Sequence, residues 1–381
     1  MRKSIVLFLA FCGLLACLSA QQASIPVKIE DVRGSQQYYG FILSNGTIVV
    51  KPIYIKAHEF SEGLAAVRDA NYRWGFINTA GKKVFTLPKG VSEVGDFSEG
   101  LCWFRDSISD KVGFVDRTGK VTIRPQWNFA HNFSDGLAAV GDGRTLGEFF
   151  FEIGILKGYI NHKGEMVIPI NIRHNNYNHE SFCCGRAVIQ YDDKVMIIDT
   201  KGNELFGGKY RDATGFSRGL SSVAVASNEP CKAGNRDEDL PPCNLQWSVI
   251  DTTGRVVIDN MEIWGFQEGI GIVTLDKNEY MFIDSTGKRL FERNFYKADS
   301  FSEGLAYVVE MDKTSGFINH QGEMVIRLPK GHRAYSTNGF RHGVATIYKS
   351  EKNGKYTDHN DRWIDCEGNT LWEISYRTWF Q

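Results

Sequence analysis

Proline is scarce in this 381-residue chain, at nine residues against 39 glycines. That balance disfavours long helices and suits many short strands joined by tight turns. No run or patch of basic residues stands out. The formal net charge is only −1, so nucleic-acid binding has no electrostatic support. Beyond the N-terminus there is no hydrophobic stretch long enough for a membrane-spanning helix. No Gly-rich phosphate loop, G-x-S-x-G elbow or HExxH helix is present. The cysteines outside the N-terminal region have no zinc-like C-x-x-C spacing. These absences leave no catalytic constellation, cofactor motif or metal-ligand set to name. Apolar residues at 42% and charged residues at 23% are ordinary for a soluble globular protein.

The N-terminus reads as an export signal, with Arg2 and Lys3 followed by a short apolar run from Ile5 to Ala16. Two processing readings stay open. One cleaves after Ala20, making residues 1–20 a signal peptide. The other takes Leu14-Leu15-Ala16-Cys17 as resembling a bacterial lipobox, with Cys17 lipidated as a membrane anchor. Removing residues 1–20 leaves 42 basic and 45 acidic residues, a net charge of −3. Either reading places the chain outside the cytoplasm, in the periplasm, at the cell surface or as an outer-membrane lipoprotein. In such an oxidising compartment paired cysteines persist. Cys231 and Cys243 bracket one polar loop and are expected to form a local disulfide, the alternative being two free thiols. A loop of that size would gain about 3 kcal/mol from closure in the chain-entropy model.

Internal similarity is the dominant feature. A Phe-x-x-Gly signature marks eight successive units, as Phe60–Gly63, Phe97–Gly100, Phe133–Gly136, Phe182–Gly185, Phe216–Gly219, Phe266–Gly269, Phe301–Gly304 and Phe340–Gly343. Its glycines are 37, 36, 49, 34, 50, 35 and 39 residues apart, so the unit is near 36 residues with two insertions. Each glycine leads into a short apolar strand A, such as Leu64-Ala65-Ala66-Val67. Strand B follows, as in Trp74-Gly75-Phe76-Ile77-Asn78, then a turn and strand C, as in Met166-Val167-Ile168-Pro169. A further extended stretch carrying Ala57, Ala130 or Ala298 leads to the next phenylalanine.

The B–C turn reads Asp or Asn, two residues, then Gly, for example Asn78 to Gly81 and Asp116 to Gly119. This suits a type I turn. The acidic or amide side chain accepts bonds from the turn backbone, and glycine takes the left-handed position. A calcium-ligand reading fits less well, since each unit offers one such group and Asn often replaces Asp. In Phe-x-x-Gly the phenylalanine reads as a buried plug and the glycine as the tight lead into strand A. The residues between vary too much for eight catalytic sites.

The combined pattern resembles the WG-repeat family. Trp74-Gly75-Phe76-Ile77-Asn78-Thr79-Ala80-Gly81-Lys82-Lys83-Val84 is the closest copy. Units around Gly113, Gly158 and Gly316 keep the glycine without the tryptophan. The resemblance covers roughly residues 38 to 372. It implies a β-repeat protein, mostly bacterial, with no agreed enzymatic activity and therefore no catalytic residues to transfer.

The expected fold is all-β, a tandem array of about nine hairpin or meander units over residues 25–372, propeller-like or an open β-superhelix, with 373–381 as a C-terminal tail. The chain begins and ends on A–B–C units, so no unit is shared between the termini, which favours an open or incompletely closed array. Three A–B connections are long, at about Gly141 to Leu156, Ser227 to Leu245 and Ser350 to Asp361. Corresponding loops of a repeat array lie on one face, so these three would share a rim. Loop growth by drift is the competing explanation, because added length costs little. His174 and His179 have no partner at ligand spacing and are not taken as a metal site. Most Trp and Tyr residues belong to the repeat and are assigned to the core rather than to a sugar-stacking surface. The functional expectation is a non-enzymatic binding or scaffold protein for an unidentified protein or glycan partner at the bacterial envelope. A structural spacer and a hydrolase sited on the insertion face are the alternatives.

Overall fold

A computed structural model describes residues 25–33, 36–145, 152–174, 181–191, 194–226, 245–259, 261, 263–276, 279–334, 339–353 and 356–379. It is a nine-bladed β-propeller. Each blade is one small antiparallel sheet whose strands follow chain order. Blade 1 has three strands, Val27–Arg33, Gln36–Ile42 and Ile48–Tyr54. Blade 2 shows the full unit: a two-residue leading strand Lys56–Ala57, then A at Leu64–Arg68, B at Trp74–Asn78 and C at Lys83–Thr86. Blades 3, 4, 6, 8 and 9 repeat this four-stranded order, while blades 5 and 7 have three strands each. Among the described residues the only helical element is the single turn Phe206–Gly208.

The repeat signatures perform the local work expected of them. In the B–C turn of blade 2 the Asn78 Oδ1 accepts from the amides of Ala80 (3.1 Å) and Lys82 (2.9 Å). Gly81 follows at φ +73°, and the B–C register slips by one residue, the bulge that such a turn produces. The glycine of the Trp-Gly pair has a different task. A Cβ on Gly75 would lie 2.9 Å from the Phe85 carbonyl oxygen, and one on Gly113 would lie 2.5 Å from that of Ile123. A side chain there would push strand C off strand B. Trp74 is buried and donates its indole N–H to the Ser92 carbonyl of the next blade (3.1 Å).

The core is not one mass. Among the described residues it divides into nine apolar clusters, each formed between two neighbouring blades. Blades 2 and 3 share Phe76, Trp74, Phe97 and Phe104, and blades 3 and 4 share Phe114, Ile123, Phe133 and Val140. An open row of nine blades has eight such interfaces. The ninth cluster joins Val27, Ile29 and Ile42 of blade 1 to Val344, Trp363 and Ile374 of blade 9. The Trp363 indole donates to the Lys28 carbonyl (3.0 Å) and the Trp372 indole to that of Glu30 (2.9 Å).

The turn contact found between other blades also recurs across this seam. The B–C glycine of a blade packs on strand C of the blade before it, as Gly119 does on Phe85 and Gly164 on Ile123, or on the segment in its place, as Gly254 does on Phe206 and Gly322 on Phe291. Gly46 of blade 1 meets Leu371 of blade 9 in the same way. The ring is therefore closed, which corrects the expectation of an open or incomplete array. Sharing a blade between the termini is one way to close a propeller. Here closure uses side-chain packing and two indole hydrogen bonds instead. The segment expected as a tail continues strand C of blade 9, Thr370–Trp379.

Candidate functional site

Because all blades share one strand order, the ring has two unlike faces. The turns into strand A and the B–C turns lie at one end of every blade. The A–B connections lie at the other.

The first face is a belt of turn-to-turn hydrogen bonds. Ser61 and Leu64 exchange both backbone bonds around Glu62 and Gly63, which have φ of +50° and +76°. This is a two-residue hairpin turn with both central residues left-handed. Glutamate is an unusual choice at such a backbone position, and its side chain supplies the reason. The Gly100 amide of blade 3 donates to Glu62 Oε2 (3.0 Å), while Ser61 Oγ donates to the Phe97 carbonyl (2.6 Å). The pattern recurs with Ser98 and Glu99 of blade 3 bonding blade 4, with Ser134 and Asp135 of blade 4 bonding blade 5, and with Ser302 and Glu303 of blade 8 bonding blade 9. Seven of the eight phenylalanines are buried plugs as read, Phe97, Phe133, Phe182 and Phe340 being about 1% exposed, while Phe60 is partly buried. The serine and acidic residues, read from sequence as variable filler, are the ties between blades. B–C turns join the belt: Arg117 pairs with Glu62 (3.2 Å), His162 with Glu99 (3.1 Å) and His320 with Glu268 (2.9 Å).

The opposite face carries the three expanded A–B connections, in blades 4, 6 and 9. Two of them are not loops. In blade 4, strands Ala138–Thr145 and Glu152–Ile160 stay paired as far as Thr145 and Glu152. In blade 9, strands Val344–Asn353 and Tyr356–Asp365 pair along their whole length, and strand C accompanies them. In blade 9 the polar composition suggested a loop. A solvent-facing ladder tolerates polar side chains provided that cross-strand partners meet, and they do so here. Ser227 to Asn244, including Cys231 and Cys243, lies outside the described residues, as do Cys17 and His179. His174 closes strand C of blade 4.

On the blade 9 hairpin a groove of about 520 Å³ runs between strand edges and His332. The His359 ring stacks on Tyr376 (4.7 Å between centroids, 11° between planes). The His359 Nδ1 lies 3.0 Å from Ser350 Oγ and its Nε2 lies 2.9 Å from Thr378 Oγ1. Arg377 pairs with Asp358 (2.6 Å), and that guanidinium holds the Asp358 carboxyl below the usual range. Asn360 bridges Glu373 (2.6 Å) and Ser375 (3.0 Å), and its Oδ1 lies 3.3 Å from His332 Nε2. His332 is 7% exposed and its Nδ1 has no partner, nor has the buried Nε of Arg362. Burial, with Asp361 and Glu30 adding to it, pushes the Tyr376 phenol up to about 12, so it stays a donor and bonds Asp361 Oδ2 (3.3 Å). Paired strands, a stacked aromatic pair and a groove lined with polar side chains equip this surface for binding a polar ligand.

A second cavity, about 680 Å³, lies among blades 7, 8 and 9 and is lined by Gln267, Tyr280, Lys297, Asp299, Ser302 and Arg341 among others. Asp299 is raised to about 6 by burial. Lys297 pulls the other way, but at 4.0 Å it is too far to offset the lost hydration. One carboxylate oxygen, Oδ2, has no hydrogen-bond partner. Among the described residues no group of three or more metal-ligating side chains converges. No described helix is long and apolar enough to cross a membrane.

Five segments match a family model for the WG containing repeat, at residues 39–72, 74–106, 113–143, 158–172 and 280–313. This is a WG-repeat protein. The matched segments run through blades 1–4 and through blades 7 and 8. No curated protein matches the chain in sequence. Among solved structures it is similar to apo AztD from Citrobacter koseri (11% identity, TM-score 0.41, covering 93% of this chain and 99% of that one). It is also similar to BamB from Moraxella catarrhalis (10%, 0.37, 84% and 87%) and to Hsv2p from Kluyveromyces lactis (10%, 0.39, 76% and 99%). Likeness at this level carries no functional argument.

Proposed function

We propose that this WG-repeat propeller is a non-enzymatic, exported binding or scaffold protein that engages a protein or glycan partner through its A–B face. One observation carries the reading. The three long expansions in the array all fall at the A–B junction, and ring closure gathers that junction from every blade onto one face. The other face is occupied by ties between blades. The blade 9 hairpin, with its groove and stacked His359–Tyr376 pair, is the best-defined part of this surface.

The test replaces Ser227 to Leu245 by a connection as short as Arg68 to Arg73, and separately changes Tyr376 and His359 to alanine. Each variant is compared with the parent for capture from envelope extract and for binding to a glycan array. The reading expects capture to fall while the β-rich circular dichroism is kept. Folded variants that bind as well as the parent would sink it.

A further inference from the structure

The belt of ties is weakest around blades 5 to 7, and one link there has a different chemistry. In the serine and acid positions of blade 5 stand Cys183 and Cys184. Cys184 keeps the left-handed conformation of its counterparts, with φ +59°. The Gly219 amide of blade 6 donates to its Sγ at 3.2 Å, where a carboxylate oxygen receives the same amide at 2.7–3.0 Å in blades 3 to 5. The two Sγ atoms are 3.2 Å apart. The next link is weak too: Ser217 Oγ reaches the Phe266 carbonyl only at 3.4 Å, and Arg218 replaces the acid.

We infer that Cys183 and Cys184 form a reversible redox site, a vicinal dithiol whose oxidation to a disulfide releases the tie between blades 5 and 6. Cys184 is exposed and Cys183 is partly covered, so Cys184 attacks first. Burial pushes the Cys183 thiol up to about 11, with the Arg218 amide pulling the other way, so it holds its proton longer. With a small disulfide as oxidant, the Cys184 thiolate forms a mixed disulfide and expels one thiol. Cys183 then loses its proton, attacks the Cys184 sulfur and expels the second. Two protein S–H bonds are lost, one S–S bond is gained, and the oxidant leaves as two thiols. Closing the bond draws the sulfurs from 3.2 Å to about 2.05 Å, which takes the Cys184 Sγ off the Gly219 amide. Adjacent Cα atoms are only about 3.8 Å apart across a trans peptide, shorter than disulfides prefer. A disulfide so constrained has a high potential and is readily reduced, which suits a reversible switch.

The test treats the full-length protein with oxidised glutathione and maps its peptides. The expected result is a peptide carrying both residues that has lost two hydrogens. It should be accompanied by a fall in Tm of about 2 °C, reversed by dithiothreitol. The variant Cys183→Ser should show neither change. Cys184→Glu, which restores the carboxylate tie, should melt higher and ignore the oxidant. Free thiols after treatment, glutathione retained on Cys184, or a bond from either residue to another cysteine would overturn the redox site. A vicinal disulfide that leaves Tm unmoved would overturn the release of the tie.

Discussion

Two glycines separate backbone strain from packing between blades. Gly100 and Gly119 both have left-handed backbone, with φ +80° and +85°. A Cβ on Gly100 would meet nothing within 4 Å, whereas one on Gly119 would lie 2.5 Å from Phe85 Cδ2 in the preceding blade. Alanine in this region costs about 1–2 kcal/mol, partly offset by about 0.4–1 kcal/mol from a stiffer unfolded chain. Gly100→Ala should therefore lose about 1 kcal/mol. Gly119→Ala carries the same strain and must also displace Phe85, which stacks on Phe76 at 4.9 Å. Overpacking of this kind adds about 1–3 kcal/mol, for a total of about 2–4 kcal/mol. Combining Gly119→Ala with Phe85→Ala should recover the overpacking share as a coupling energy, because the two sites touch. Urea denaturation followed by circular dichroism reads the parent, the single variants Gly100→Ala, Gly119→Ala and Phe85→Ala, and the double variant. Equal losses at both glycines, or strict additivity in the double variant, would refute the account of how blades pack.

Trp363→Phe keeps the apolar ring but leaves the Lys28 carbonyl without its donor at the ring seam. It should lose about 1–3 kcal/mol, and an unchanged denaturation midpoint would show that the seam does not need this bond. Asp299 has its pKa raised in the fold to about 6 from an ordinary 3.8. The folded state therefore holds a proton that the unfolded chain has lost, and stability from this group falls as pH rises from about 4 to 6. Asp299→Asn should melt higher than the parent at pH 7 and no higher at pH 3.5; the same difference at both values would remove the carboxyl as its cause. Cys231 and Cys243 are expected to be bonded in protein recovered from an oxidising compartment, and non-reducing peptide mapping that finds both free would contradict this.

Much of the architecture was legible because it is repeated. Eight copies of Phe-x-x-Gly and the Asp/Asn turn identify the unit, its strands and the burial of every signature phenylalanine but Phe60, which is partly buried. The closure of the ring was not legible. It depends on Trp363 and Trp372 meeting carbonyls more than 330 residues away, and blade 1 has no Phe-x-x-Gly copy to announce that it is a blade. The ties were missed for a different reason. Ser61 and Glu62 bond backbone groups of the next blade, so no partner side chain varies with them. The visible signal was an acidic residue before glycine at five of the eight turns, in a left-handed position that glycine or asparagine would fill more cheaply. The blade 9 hairpin was hidden by its polarity, since Ser350, Asp358 and His359 look like loop residues until their cross-strand partners are placed beside them.

The central claim is that nine blades close into a ring, and the seam offers a direct test. A Cβ on Gly343 of blade 9 would lie 3.0 Å from that of Ser44 in blade 1, about half an ångström closer than the usual disulfide range, which begins at about 3.5 Å. The variant carrying Ser44→Cys and Gly343→Cys should form that bond within one molecule when oxidised in the folded state, as read by peptide mapping, and should fail to form it efficiently in denaturant. A folded protein in which the two cysteines stay unlinked, or link only between molecules, would contradict the closed ring.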